Sequence, residues 1–408
     1  MRILLSTIGS RGDVQPLVAL ALELKGRGQD VHLCVPPDFR EWIEGLGMTL
    51  TPIGPELRPT GRATPEASPP TPEQLALLRQ GTVRGQFETI AAAAEGCDAI
   101  VGATALQLAT PSIAESKGVP YVFAAFCPAV LPSPHHAPPV LSMLGDAPAP
   151  EAPDYAALWA AEARRWNELW GELLNAERAS LGLSPVDDVL SYMLTARPWL
   201  AADSELAPWP GPNGQAVLQP GAWIMRDERP LSPELEAFLA ACEPPVYLGF
   251  GSIRAPEGLT DTTIGAARVL GRRVVVSRGW AGLSTEAEAP DVLAIGEVNQ
   301  QALFPRLAAV VHHGGAGTTT AAARAGAPQV VVPQHYDQHS WAQRVHQLGI
   351  GAAHPPGALS PESLTDALES ALRPDVVARA RAFSASVRCD GAQVAARRLA
   401  AVATRDIP

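Results

Sequence analysis

Short apolar runs, each closed by a glycine or polar turn, recur in two series on either side of a proline-rich stretch at 208–233. That alternation leaves few folds open to the chain. In the first series Ile3 to Leu5 reads as a strand, Ser6 to Asp13 as a turn, and Leu17, Leu20, Ala21 and Leu24 follow helical spacing. Pro16 falls in the first helical turns, Gly26 and Gly28 end the helix, and Val31 to Val35 resumes as strand. Ala99 to Val101 and Tyr121 to Ala124 continue the pattern. The second series runs through Val246 to Phe250, Val274 to Ser277, Val292 to Ile295, Ala309 to Val311 and Gln329 to Val332. The prediction is an α/β protein with two Rossmann-like, doubly wound domains facing a central cleft. The first spans 1–207, a linker 208–233, the second domain 234–390, and a helical tail 391–408 packs back on the first domain. Proline is dense between Pro52 and Pro72 and between Pro128 and Pro153, which predicts surface loops. In such sheets ligands collect beyond the carboxyl ends of the strands.

Composition narrows the partners. The formal net charge is -11, from 42 acidic and 31 basic residues among 408, which argues against nucleic acid or an anionic membrane. Any anion must be held by a local arrangement. The five cysteines, Cys34, Cys97, Cys127, Cys242 and Cys389, are scattered without C-x-x-C spacing, so neither disulfides nor zinc are indicated. The apolar start Ile3-Leu4-Leu5 is broken by Ser6, Gly9 and Ser10, and no long apolar run follows, so a cytoplasmic protein is expected.

Two turns carry chemistry. In His312-His313-Gly314-Gly315-Ala316-Gly317-Thr318 a strand feeds a glycine turn that opens an alanine-rich helix, where free N–H groups and the helix dipole suit a diphosphate. The same turn also serves as a plain strand-to-helix connection, and His313 is either a phosphate donor or structural. After the next strand, Asp337 and Gln338 offer donors and acceptors suited to sugar hydroxyls. The first turn, Gly9-Ser10-Arg11-Gly12-Asp13, sets a hydroxyl, a guanidinium and a carboxylate at a strand's carboxyl end. Arg11 suits phosphate charge and Asp13 a general base; equally, Asp13 caps the helix and Arg11 pairs with a surface acid. No D-x-D triplet occurs, so a two-carboxylate metal clamp is not indicated and no cofactor is expected beyond a nucleotide-sugar co-substrate. Neither glycine turn has the G-x-G-x-x-G spacing of a dinucleotide site.

These segments, together with Cys127-Pro128, Pro132-Ser133-Pro134, Val246 to Ser252, Ser277-Arg278-Gly279-Trp280 and Ile295 to Asn299, resemble the glycopeptide-antibiotic glycosyltransferases over nearly the whole chain. The resemblance implies the GT-B fold, with acceptor bound by the first domain and nucleotide sugar by the second. It implies an inverting, metal-independent transfer of a hexose, glucose first, from a UDP- or dTDP-sugar to a phenolic hydroxyl of a heptapeptide aglycone. By the same resemblance Asp13 is the base, and Ser10, Arg11 and Gly12 lie at the donor phosphate. Ser252, Trp280 and Val298 fall near the nucleotide, His313, Gly315, Ala316, Gly317 and Thr318 cradle phosphate, and Asp337 and Gln338 take the sugar. Trp280 serves equally as core packing. His335-Tyr336 before the pair and His339-Ser340 after it depart from the family pattern. Alternatives are a sterol or other natural-product glucosyltransferase, a nucleotide-sugar 2-epimerase, and a catalytically silent sugar-nucleotide-binding protein.

Overall fold

The computed structural model describes residues 1–61, 71–104, 106–139, 154–211, 216–280, 282–283, 289–355 and 359–403. Two six-stranded parallel sheets organise them. The first holds β1 (Arg2–Thr7), β2 (Asp30–Val35), β3 (Thr49–Pro52), β4 (Ala99–Ala103), β5 (Tyr121–Ala125) and β6 (Trp199–Leu200) in the order β3-β2-β1-β4-β5-β6. The second holds β7 (Val246–Gly249), β8 (Val274–Ser277), β9 (Val292–Ile295), β10 (Ala309–His312), β11 (Gln329–Val331) and β12 (Gly351–Ala353) in the order β12-β11-β10-β7-β8-β9. Each sheet grows outward from its first strand and then reverses, so the crevices of the two halves open at β1/β4 and at β7/β10. The carboxyl ends of β1, β7 and β10 lead into the Ser10–Asp13, Gly251-Ser252 and His313–Thr318 turns. Both sheets are covered on both faces, as parallel sheets require, and Ile3, Leu4, Leu5, Val310 and Val311 are fully buried.

Three strands lie outside the sequence prediction. β3 is exposed on its first and last residues and ends in Pro52, β6 has two residues, and β12 is Gly-Ala-Ala. All three sit at sheet edges, where an apolar pattern is not needed to bury the strand. The proline-dense segments are partly helical at their borders. Pro72 is the first residue of a 22-residue helix, Pro72–Ala93, whose Thr71 and Gln74 cap each other. The interiors of both predicted loops, 62–70 and 140–153, lie outside the described residues.

The stretch 216–232 holds no helix or named strand, only a bridge from Leu218 to Trp199. The helix Gly391–Ala403 then returns to the first domain, burying Ala392, Ala395, Ala396 and Leu399 against the helix Arg11–Gly26. It starts tight against the linker, where a Cβ on Gly391 would stand 2.4 Å from the carbonyl oxygen of Ala222. Among the described residues no helix is long and apolar enough to cross a membrane.

Candidate active site

β1 delivers its chemistry through the capped start of the helix Arg11–Gly26. The Ser10 N–H donates to Asp13 Oδ2 at 2.6 Å, and a Cβ on Gly9 would fall 2.2 Å from that oxygen, so the turn closes over Asp13 only with glycine there. Burial pushes the Asp13 carboxyl up to about 6, against the lowering effect of hydrogen bonds from Ser10. A base in that range is ionised at neutral pH yet keeps an appreciable proton affinity. Gly12 lies exposed on the same turn. Arg11 does pair with a surface acid, but one supplied by the second sheet rather than by its own turn. Its Nη1 donates to Glu297 Oε1 at 2.8 Å, its Nε to Gln15 Oε1 at 3.0 Å, and its guanidinium lies 4.6 Å from the Trp42 ring centre. Glu297 follows β9 in the second sheet, so this pair joins the carboxyl edges of the two domains.

The glycine turn after β10 is built around two histidines with different jobs. His312 is fully buried: its Nδ1 accepts the Gly314 N–H at 3.1 Å, which leaves Nε2–H to donate to Gln329 Oε1 at 3.0 Å. Burial pushes it down to about 4, so it is a neutral strut. Gly314 has φ +92°, and a Cβ on it would meet Val331 Cγ1 at 2.7 Å and the Gln338 carbonyl oxygen at 3.0 Å. Glycine is therefore required twice over, for its backbone and for the close approach of the next loop. His313 packs against Phe250 with ring centres 5.8 Å apart; burial, with His312 and His335 adding, pushes it down to about 3. Its buried Nδ1 has no partner, an unpaired ring atom at the head of the turn. Gly315 caps the helix Ala316–Ala325 without a side chain, and a Cβ there would stand 2.4 Å from His313 Nε2. The Thr319 and Thr320 hydroxyls bond back to the Gly315 and Ala316 carbonyls. The first-turn N–H groups of Ala316, Gly317 and Thr318, which no intrahelical carbonyl can take, remain for an anion.

Beyond β11 the Asp-Gln pair divides its labour. Asp337 sits at the start of the helix Gln338–Leu348 without capping it by its side chain, and its Oδ2 accepts the Trp341 indole N–H at 3.0 Å. Burial, with the Asp13 charge adding, pushes its carboxyl up to about 7. Gln338 is 4% exposed, its Oε1 accepting from the Gln334 and His335 N–H groups at 2.8 and 3.3 Å, and its Nε2 lies 3.2 Å from His335 Nδ1. Its oxygen is taken up inside the turn, where it shapes the loop that carries Asp337, and one N–H of its amide is left over.

At the far side, the turns after β7 and β8 lock together. The Trp280 N–H donates to the Gly251 carbonyl at 2.9 Å, and at Gly279, with φ +53°, a Cβ would lie 2.3 Å from that oxygen. Ser252 follows Gly251 (φ +59°) on the half-buried part of this turn. Trp280 stacks on Phe39 of the first domain, ring centres 5.7 Å apart, with the Arg58 guanidinium 5.7 Å from its ring. Its indole is an interdomain contact. Val298 packs against the core around Leu303 and Phe304. Sequence reasoning did not single out Glu297, Trp42 or Tyr336. Glu297 lies in the Ile295 to Asn299 segment that carries the resemblance and Tyr336 in the departure at His335-Tyr336; Tyr336 takes φ +56°, a left-handed backbone tyrosine seldom adopts.

The comparisons with known proteins bear on both halves. Residues 3–133 match the Glycosyltransferase family 28 N-terminal domain, and residues 263–395 match the C-terminal domain of the Erythromycin biosynthesis protein CIII-like family. The Glycosyltransferase GtfE of Amycolatopsis orientalis is 50% identical, covering 100% of this chain and 99% of its own. The Vancomycin aglycone glucosyltransferase of the same organism is 47% identical over 100% and 99%. Its dTDP-epi-vancosaminyltransferase is 40% identical over 93% and 92%. Among solved structures, the calicheamicin glycosyltransferase CalG4 superposes with TM-score 0.69 at 19% identity over 100% and 99% of the chains. Glycosyltransferase VinC in complex with dTDP does so with TM-score 0.66 at 22% identity over 100% of both. With half its residues shared end to end with such a relative, and with the paired parallel sheets of the GT-B fold, the chain belongs to the glycopeptide-antibiotic glycosyltransferases and is a hexosyltransferase.

Proposed function

We propose that the enzyme moves a hexose, glucose first among the candidates, from a UDP- or dTDP-linked donor to a phenolic hydroxyl of a heptapeptide aglycone, by single displacement with inversion. The observation that carries this reading is the Arg11–Glu297 pair at 2.8 Å, which joins the turn holding Asp13 to the carboxyl edge of the second sheet. Asp13 takes the phenol proton as the phenolic oxygen attacks the anomeric carbon. The bond from that carbon to the diphosphate breaks, and the departing nucleoside diphosphate carries the electron pair to the first-turn N–H groups of Ala316, Gly317 and Thr318. A phenol, with reference pKa ~10, asks less of a carboxylate near 6 than an aliphatic alcohol would. Asp337 accepts hydrogen bonds from sugar hydroxyls, while His313 and the Ser10–Gly12 backbone line the phosphates. Arg11 reaches a donor phosphate by exchanging Glu297 for it. No D-x-D pair stands ready for a metal, so the helix N-terminus takes over the neutralisation of the leaving group. Glucose is favoured by the 47% identity to a relative named a glucosyltransferase, and a dTDP donor by the 40% identity to one named for a dTDP-sugar.

The test crosses UDP-glucose and dTDP-glucose with a panel of heptapeptide aglycones and a sterol, and reads the product by mass. The expected product is an aglycone heavier by one hexose. Transfer to the sterol alone, or to nothing, would overturn the reading.

A further inference from the structure

Tyr336 directly precedes Asp337 and faces the first domain, and its side chain has no assigned task. It is the last residue before Asp337, in the turn between β11 and the helix Gln338–Leu348, and its φ of +56° is a strained, left-handed backbone for a tyrosine. The turn around it is over-determined: Gln338 ties down the N–H groups of Gln334 and His335, and Asp337 is tied to Trp341. Strain held this firmly belongs to a functional turn more often than to a plain one.

The side chain crosses between domains. It lines a cavity of about 30 Å³ whose other walls, Phe123, Trp159, Trp166, Leu190 and Met193 among them, all come from the first domain. That volume holds about one water molecule and no part of an aryl ring. Burial raises the Tyr336 phenol well above its ordinary range, and the negative charges of the Asp337, Asp13 and Glu162 carboxylates add to it. The phenol is therefore neutral, next in the chain to the proposed sugar-side carboxylate Asp337 and against the aromatic wall of the first domain.

Resting on the transfer reading above, we propose that Tyr336 is a specificity-determining residue: its ring forms the partition between the donor sugar and the aromatic cavity of the first domain and limits how bulky an acceptor can be beside its reacting hydroxyl. An acceptor whose ring is unsubstituted there packs against the Tyr336 ring and reaches Asp13. A substituent next to the hydroxyl collides with it. One added methyl group in such a wall discriminates by roughly 10- to 200-fold.

The experiment compares a heptapeptide aglycone with the same aglycone methylated beside its accepting phenol, at saturating donor. The wild-type enzyme is expected to prefer the unsubstituted acceptor by roughly tenfold or more in kcat/KM. Tyr336→Ala should bring that preference below about threefold while the Kd for the nucleoside diphosphate, read by calorimetry, stays within about twofold. Tyr336→Phe should keep the wild-type preference, because it keeps the ring. Tyr336→Gly, which takes the left-handed backbone freely, repeats the truncation if the alanine variant folds poorly. An unchanged preference in the truncated enzymes, or equal losses on both acceptors with weakened nucleotide binding, would overturn the assignment and leave Tyr336 a structural residue. If the wild-type enzyme glycosylates no phenolic acceptor, it is the functional reading that fails. The same ratio is then read on a sterol and its analogue methylated beside the hydroxyl.

Discussion

Asp337→Asn should make the enzyme more stable as the pH rises. The carboxyl is pushed from its ordinary 3.8 to about 7, chiefly by burial, with the Asp13 charge adding to it. The folded protein thus holds this proton more tightly than the unfolded chain does. The resulting cost to folding is absent below the unfolded value, grows as pH rises, and is complete above about 7. At ~1.4 kcal/mol per pH unit the full gap is worth ~4 kcal/mol, of which partial solvent access removes some. Asparagine keeps an oxygen for the Trp341 indole N–H and discards the charge. In urea denaturation the variant should gain ~1–3 kcal/mol more over wild type at about pH 8 than at about pH 5. Transfer should fall at the same time, since the sugar loses its acceptor. A gain that does not change with pH, or a loss at pH 8, would refute the claim that Asp337 is held as a costly buried carboxylate.

Gly314→Ala places a Cβ at φ +92° and 2.7 Å from Val331 Cγ1, so strain and overpacking together should cost ~2–5 kcal/mol in denaturation and weaken donor binding. His313→Ala removes the ring at the head of the cradle and should weaken UDP or dTDP binding roughly 10- to 100-fold in calorimetry; unchanged affinity would make the ring structural. Glu297→Gln removes the carboxylate that Arg11 holds, so nucleoside-diphosphate affinity should rise by up to about fivefold. Unaltered affinity would mean that Arg11 does not exchange Glu297 for phosphate.

Much of the frame is legible along the chain because buried parallel strands announce themselves. Val274 to Ser277 is read from sequence with the bounds the fold gives it, and Val292 to Ile295, a half-buried edge strand, is read the same way because its run is apolar throughout. β6 and β12 are not, since Trp199-Leu200 and Gly-Ala-Ala are too short and too bland to carry a period. The turns at Gly314 and Gly9 are legible as glycine, yet the reason glycine is needed lies in the loop after β11 and in Asp13, seen only in three dimensions. Asp337 and Gln338 look alike in sequence as a polar pair. Helix geometry separates them, leaving one carboxylate at the helix start and turning the amide back into the loop. The Arg11–Glu297 pair spans 286 positions, and no local pattern predicts it. Nothing in the letters around Tyr336 foretells a left-handed tyrosine that reaches into the other domain.

The central claim is that Asp13, held at the head of the first helix, is the base. Single-turnover transfer by Asp13→Asn, with donor affinity measured on the same preparation, tests it most directly. Asparagine still accepts the Ser10 N–H, so the turn persists and donor Kd should stay within about twofold. The transfer rate should fall by roughly 10² or more. Undiminished turnover with intact donor binding would contradict the account.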